Sequence, residues 1–147
     1  MSMAKAETET VELQIPCDPK YIGVARLVAA GVGAHSGLNA DEIDDLKVAV
    51  SEACTNVIDH AFPDSEKTDQ PTAISLRFTS SKTGLQVEVE DYGVGFDPDN
   101  LPKPELNEPS VNGGLGLYLI TQLTDEVHIQ SAPDSGTKII MIKRVTE

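Results

Sequence analysis

Apolar and polar or turn residues alternate over Val11, Leu13, Ile15 and Cys17, the period of a half-buried strand. Asp18-Pro19 follows. The aspartate suits free helix amides and the proline suits a first helical position, so a helix is predicted from Lys20 to about His35. Gly23, Gly31 and Gly33 weaken that helix towards its far end. Asn39, with Glu42 three residues on, has the form of a capping box and opens a second helix to about Ala61, stopped by Phe62-Pro63. Its apolar stripe is Ile43, Leu46, Val50, Ala53, Cys54, Val57 and Ala61, which reads Cys54 as a core residue rather than a nucleophile. Glu52, Asn56 and His60 drift by roughly 40° per step on the helical wheel. They start opposite the stripe and walk towards its edge.

Two alternating runs, Ala73 to Phe78 and Leu85 to Glu90, are joined by Ser-Ser-Lys-Thr-Gly and predict an antiparallel hairpin. Four prolines between Phe96 and Gly113 predict an irregular loop, here read as a lid at about 96–112. Gly113-Gly-Leu-Gly opens a third helix to about Leu123, and a last hairpin pairs Val127 to Gln130 with Lys138 to Arg144 across Pro133-Asp-Ser-Gly136. Segregated helices and hairpins favour an α+β two-layer sandwich, with helices on one face of a mostly antiparallel sheet. Residues 1–10 read as a disordered polar tail and 11–147 as a single domain.

Composition narrows the function. Eleven basic and 24 acidic residues give a formal net charge of −13, which disfavours phosphate neutralisation on a nucleic acid and suits a protein or small-molecule partner. No apolar run reaches a membrane span. Cys17 and Cys54 match no metal-ligand spacing with the histidines, so a reducing, cytoplasmic setting is expected.

The chemistry-bearing stretches are weak singly. Gly113-Gly114-Leu115-Gly116 before an apolar helix fits phosphate binding by free amides and the positive dipole end, and structural capping explains it equally well. Asp91-x-Gly93-x-Gly95 at a strand end lets backbone approach a flat ligand while the carboxylate accepts a bond from an exocyclic amine; a tight turn is the plain alternative. Asp97, Asp99 and Glu108 have calcium-loop spacing, but Pro102 stands at that loop's glycine position and Leu101 at a ligand position. Glu52 and Asn56 suit a general base and an oxygen ligand for a hard cation, or simply a solvated helix face.

In order along the chain, Glu52-xxx-Asn56, Asp91-x-Gly93-x-Gly95, Gly-Gly-x-Gly and Gly136-Thr137 together resemble the GHKL (Bergerat) ATP-binding fold of gyrase-type ATPases, heat-shock chaperones and histidine kinases. SEACTNVIDHA, GGLGLYLI, TDEV and the PKYIGVARL helix are similar, more narrowly, to bacterial anti-sigma-factor serine/threonine kinases of the partner-switching, anti-sigma-B type. That resemblance runs from about Val11 to Arg144.

It implies ATP and magnesium as cofactors. Glu52 would be the catalytic base and Asn56 the magnesium ligand. Asp91, with Gly93, Gly95 and Thr137, would hold adenine, and Gly114, Leu115 and Gly116 would bring helix amides to the phosphates. Arg26 in the first helix would engage the protein partners; a surface salt bridge is its plain alternative. No lysine or arginine lies in Gly113 to Thr124, which leaves Lys103 in the lid as a candidate contact to the terminal phosphate. The implied activity is phosphorylation of a serine or threonine on a small anti-sigma antagonist protein, which competes with a sigma factor for the kinase. A homodimer is implied as well. A nucleotide-gated binding protein with little turnover is the alternative, and Glu52 favours the enzyme. The catalytic domain of a histidine kinase would need a phosphoacceptor helix pair, for which this chain is expected to have no room.

Overall fold

The computed structural model describes residues 8–61, 73–91, 114–131 and 136–146. In chain order the elements are β1 (Glu9–Pro16), a single 3-10 turn (Pro19–Tyr21), α1 (Ile22–His35), α2 (Ala40–Ala61), β2 (Ala73–Ser81), β3 (Gly84–Asp91), α3 (Gly114–Leu123), β4 (Glu126–Ser131) and β5 (Thr137–Arg144). The strands form one sheet in the order β1-β2-β3-β5-β4, with every pairing antiparallel. The helices cover one face of it, as expected for a GHKL-type α+β sandwich.

The period-two pattern becomes rows of side chains across the covered face. Leu13, Leu76, Val89, Ile139 and Ile129 form one row, and Val11, Phe78, Val87, Met141 and Val127 the next. Phe78, Leu76, Val87, Val89, Ile139 and Met141 are fully buried. At roughly 1.5–3 kcal/mol for each large apolar side chain, these rows supply much of the drive to fold. Two residues beyond Val89, on the same face, stands Asp91, opposite Thr137. The apolar face thus turns polar at one end of the sheet.

The outer face carries ion pairs of Arg77 with Glu12 at 3.3 Å and with Glu88 at 3.7 Å, and of Lys138 with Glu90 at 3.7 Å. Their side chains are exposed to partly exposed, and such pairs contribute about 0–1 kcal/mol each.

Helix starts follow the predicted chemistry. Asp18 Oδ1 accepts from Lys20 N at 3.1 Å, capping the 3-10 turn that leads into α1. The capping box forms reciprocally: Asn39 Oδ1 accepts from Glu42 N and Glu42 Oε1 from Asn39 N, both at 2.8 Å. The helix α1 continues to His35 past its glycines because Gly33 is where α1 meets its neighbours. A Cβ there would stand 3.3 Å from Leu38 Cδ1 and 3.4 Å from Ile43 Cγ1.

All five strands run longer than alternation predicts. Glu9 and Thr10 pair with Ser80 and Thr79, and β2 and β3 extend to Ser81 and Gly84, leaving Lys82-Thr83 as the turn. Ladder bonds are made by backbone, so polar residues continue a strand where no apolar side chain marks it. The expected strand start at Val11 therefore moves to Glu9. Residues 1–7, Phe62-Pro63 and the lid at 96–112 lie outside the described residues, as do Pro133 to Ser135 of the last turn.

Candidate functional site

Two elements build the centre of the site. The helix α2 carries Glu52 and Asn56, and α3 crosses it with its glycine-rich first turn. A Cβ on Gly116 would lie 2.9 Å from Glu52 Oε2 and 3.0 Å from Asn56 Nδ2. Any side chain at this position would crowd both groups, so glycine suits the close approach of the α3 backbone. Asn56 is thereby buried, and its Nδ2 has no hydrogen-bond partner among the described residues. A buried amide without a partner is costly, by about 1–3 kcal/mol. An orphaned NH2 donor opposite the start of a helix suits anionic oxygens, and the carbonyl oxygen of the same amide suits a hard cation beside them. The residues present therefore fit a magnesium-bound phosphate group. Glu52 is half-buried beside Asn56 and keeps access to solvent, as a proton acceptor for an incoming hydroxyl must.

The polar end of the sheet supplies a second part. Asp91 closes β3 and Thr137 opens β5, directly opposite in the ladder, and both are buried. Gly136, at φ 77°, turns the chain into β5 in the left-handed region that favours glycine. Cys17, just after β1, is close enough to sense this end. Burial, then the carboxylates of Asp91 and Asp18, push its thiol up to about 11.

Arg26 is exposed on α1 and lines a shallow groove between α1 and α2. Leu27, Lys47, Val48, Ser51 and Glu52 line the same groove. Leu27 is 74% exposed, and Val48 and Val24 are also large apolar side chains open to solvent. The arginine singled out for partners and the glutamate singled out as base thus share one surface. Sequence reading does not pick out Leu27 and Val48. Val48 falls outside the apolar stripe predicted for α2, which is the sequence signal of its exposure.

The structure brings together Glu52, Asn56 and Gly116 at one place, and Asp91 with Thr137 at another. Gly114 and Leu115 form the first two positions of α3; their surroundings lie outside the described residues. So do Gly93, Gly95, Lys103 and the side chain of His60. No helix among the described residues is long and apolar enough to cross a membrane.

The family profile described as "Histidine kinase-like ATPase domain" matches residues 15–143. The serine-protein kinase RsbW of Bacillus subtilis is 40% identical over 147 residues, spanning 95% of this chain and 88% of its own. That of Bacillus velezensis is 41% identical over 141 residues, spanning 90% and 84%. Among solved structures, the RsbU and RsbW domains of Rv1364c from Mycobacterium tuberculosis share the fold with a TM-score of 0.68 at 18% identity, over 95% of this chain and 33% of that one. A histidine kinase domain from Erythrobacter litoralis is similar at a TM-score of 0.54 and 20% identity, over 89% and 62%.

Proposed function

The chain belongs to the histidine kinase-like ATPase domain family and, within it, to the RsbW serine-protein kinases, and on that premise we propose that it transfers the terminal phosphate of ATP to a serine or threonine of a small anti-sigma antagonist protein. In this reading the unphosphorylated antagonist competes with a sigma factor that the kinase otherwise sequesters. The reading includes magnesium, a homodimer and a cytoplasmic setting.

The observation that carries it is the contact of Gly116 with Glu52 and Asn56. It puts a helix start, a buried amide and a carboxylate within reach of one another, which phosphoryl transfer needs and a mere helix face does not. Glu52 takes the proton of the attacking hydroxyl. Asn56 offers its carbonyl oxygen to the metal, and the amides of Gly114, Leu115 and Gly116 hold phosphate oxygens. A magnesium ion held there would supply charge neutralisation to the phosphates. Asp91, with Thr137 beside it, accepts from the exocyclic amine of adenine. Arg26 and the groove hold the protein partner, and because Glu52 lines that groove, an acceptor segment lying there presents its hydroxyl to the base.

The test incubates the protein with radiolabelled ATP, magnesium and the candidate antagonist, alongside Glu52→Ala. Label should appear on a serine or threonine of the antagonist and fall by about 10²–10⁴-fold in the variant. A wild-type protein that binds ATP yet never labels the antagonist would sink the kinase and leave nucleotide-gated binding. Loss of magnesium-dependent ATP affinity in Asn56→Ala checks the metal ligand; unchanged affinity would remove Asn56 from that role.

A further inference from the structure

The two helices that meet at the nucleotide end are also tied together at the opposite end, by a lysine. Lys143 lies on β5 opposite the buried Leu85, so it points towards the helices. Its Nζ donates to the carbonyl of Leu123 at 2.8 Å and stands 3.4 Å from Asp45 Oδ2, with its side chain 13% exposed. Leu123 ends α3, where carbonyls lack partners within the helix and the dipole is negative. Asp45 belongs to α2, the helix that carries Glu52 and Asn56.

The turn after α3 is held to the same strand. Asp125 N donates to Ile142 O at 2.8 Å, and Asp125 Oδ2 accepts from Arg144 N at 2.6 Å. The end of α3 is therefore a fixed pivot. About 10 Å further along the helix axis, at 1.5 Å per residue, Gly116 lies on Asn56. A small change of tilt at the pivot becomes a displacement of the phosphate-facing turn. A misplacement of about 1 Å can cost 10²-fold in such a site.

We propose that Lys143 is a positioning residue for the phosphate site: by tying Leu123 of α3 to Asp45 of α2, it sets the angle between them and the approach of Gly116 to Asn56 and Glu52. This rests on the kinase reading above. It makes a selective prediction, because Asp91 and Thr137 sit on the sheet and do not move with α3.

The experiment measures affinity for ATP with magnesium, and separately for adenosine, in the wild type, Lys143→Met and Lys143→Arg. All are measured well below the melting temperature of the least stable variant. Lys143→Met is expected to bind ATP roughly fivefold or more weakly, and adenosine as the wild type does. Lys143→Arg, which keeps the cation, should recover most of the ATP affinity. Wild-type ATP affinity in folded Lys143→Met, equal loss of ATP and adenosine, or no recovery with arginine would overturn the proposal. Should Lys143→Met not fold, Asp45→Asn loosens the same tie and should show the same selective loss in smaller measure; unchanged ATP affinity there counts against it. A wild-type protein that binds no ATP fails the kinase reading itself, a result distinct from these.

Discussion

Thr137 stands directly opposite Asp91 in the β3–β5 ladder, with both side chains buried on the helix-covered face. On that face the Val89–Ile139 and Val87–Met141 rows are apolar and the Leu85–Lys143 row at the far end carries a lysine, so at Asp91 and Thr137 the apolar core gives way to buried polar side chains. Asp91→Asn keeps the shape and removes the charged acceptor. ATP affinity should fall by about 10–100-fold, the worth of a hydrogen bond to a charged group. Thr137→Val should cost less, roughly threefold to tenfold. Titration calorimetry on both decides, and wild-type affinity in Asp91→Asn would move adenine elsewhere.

Gly116→Ala sets two effects against each other. Alanine is the better helix former by about 1 kcal/mol, yet its Cβ would stand 2.9 Å from Glu52 Oε2 and 3.0 Å from Asn56 Nδ2. The end of the glutamate side chain can swing away, whereas the amide of buried Asn56 would itself have to shift. The variant should fold with a melting temperature near that of the wild type and turn over about tenfold more slowly or worse, since crowding here would misalign the proposed base and metal ligand. Normal turnover would mean that the contact is structural only.

The second capping-box residue makes stability depend on pH. Glu42 Oε1 accepts from Asn39 N, and Oε2 accepts from Thr146 N and from the Thr146 hydroxyl. The Asn39 amide chiefly, then the bonds from Thr146 and the nearby Lys143 cation, hold its carboxyl below the ordinary value of 4.5. A depressed acid stabilises the fold above its unfolded pKa, and that contribution is lost as pH falls through the folded value. Glu42→Gln should therefore lower stability at pH 7, with the gap to wild type narrowing as pH drops below 4.5. Denaturant melts across that range test it, and a gap that stays constant with pH would exclude the carboxylate as its source.

Local chemistry was legible in the sequence, and long-range placement was not. The capping box at Asn39 and Glu42, the alternation through Leu76 and Val89, and the apolar stripe of Leu46, Val50 and Val57 are short-range signals with known periods. Asn56 is different. By helical wheel it sits towards the edge of the stripe, yet it is buried because α3, far along the chain, lies across it. The Asp91–Thr137 pair and the Lys143 tie depend on strand register, which no local pattern specifies. The joint order of motifs singled out Glu52, Asn56, Asp91 and Thr137; the fold supplied their contacts.

Cys17 offers a chemical probe of the Asp91 end. Its thiol is pushed up to about 11, by burial first and then by Asp91 and Asp18. The thiol of Cys54, in the core, is pushed to about 12 by burial and by Cys17. At pH 8 only about one Cys17 in a thousand is then thiolate, the reactive form. Iodoacetamide should label Cys17 slowly and Cys54 more slowly still, with the Cys17 rate rising about tenfold per pH unit up to pH 10. Asp91→Asn removes one of the charges opposing the thiolate, so Cys17 should react faster in that variant, because the thiolate gains stability when a nearby anion is lost. Peptide mass spectrometry over a labelling time course reads both sites at once. Equal Cys17 rates with and without the Asp91 carboxylate would show that burial alone suppresses the thiol, and would separate Cys17 from the polar end of the sheet.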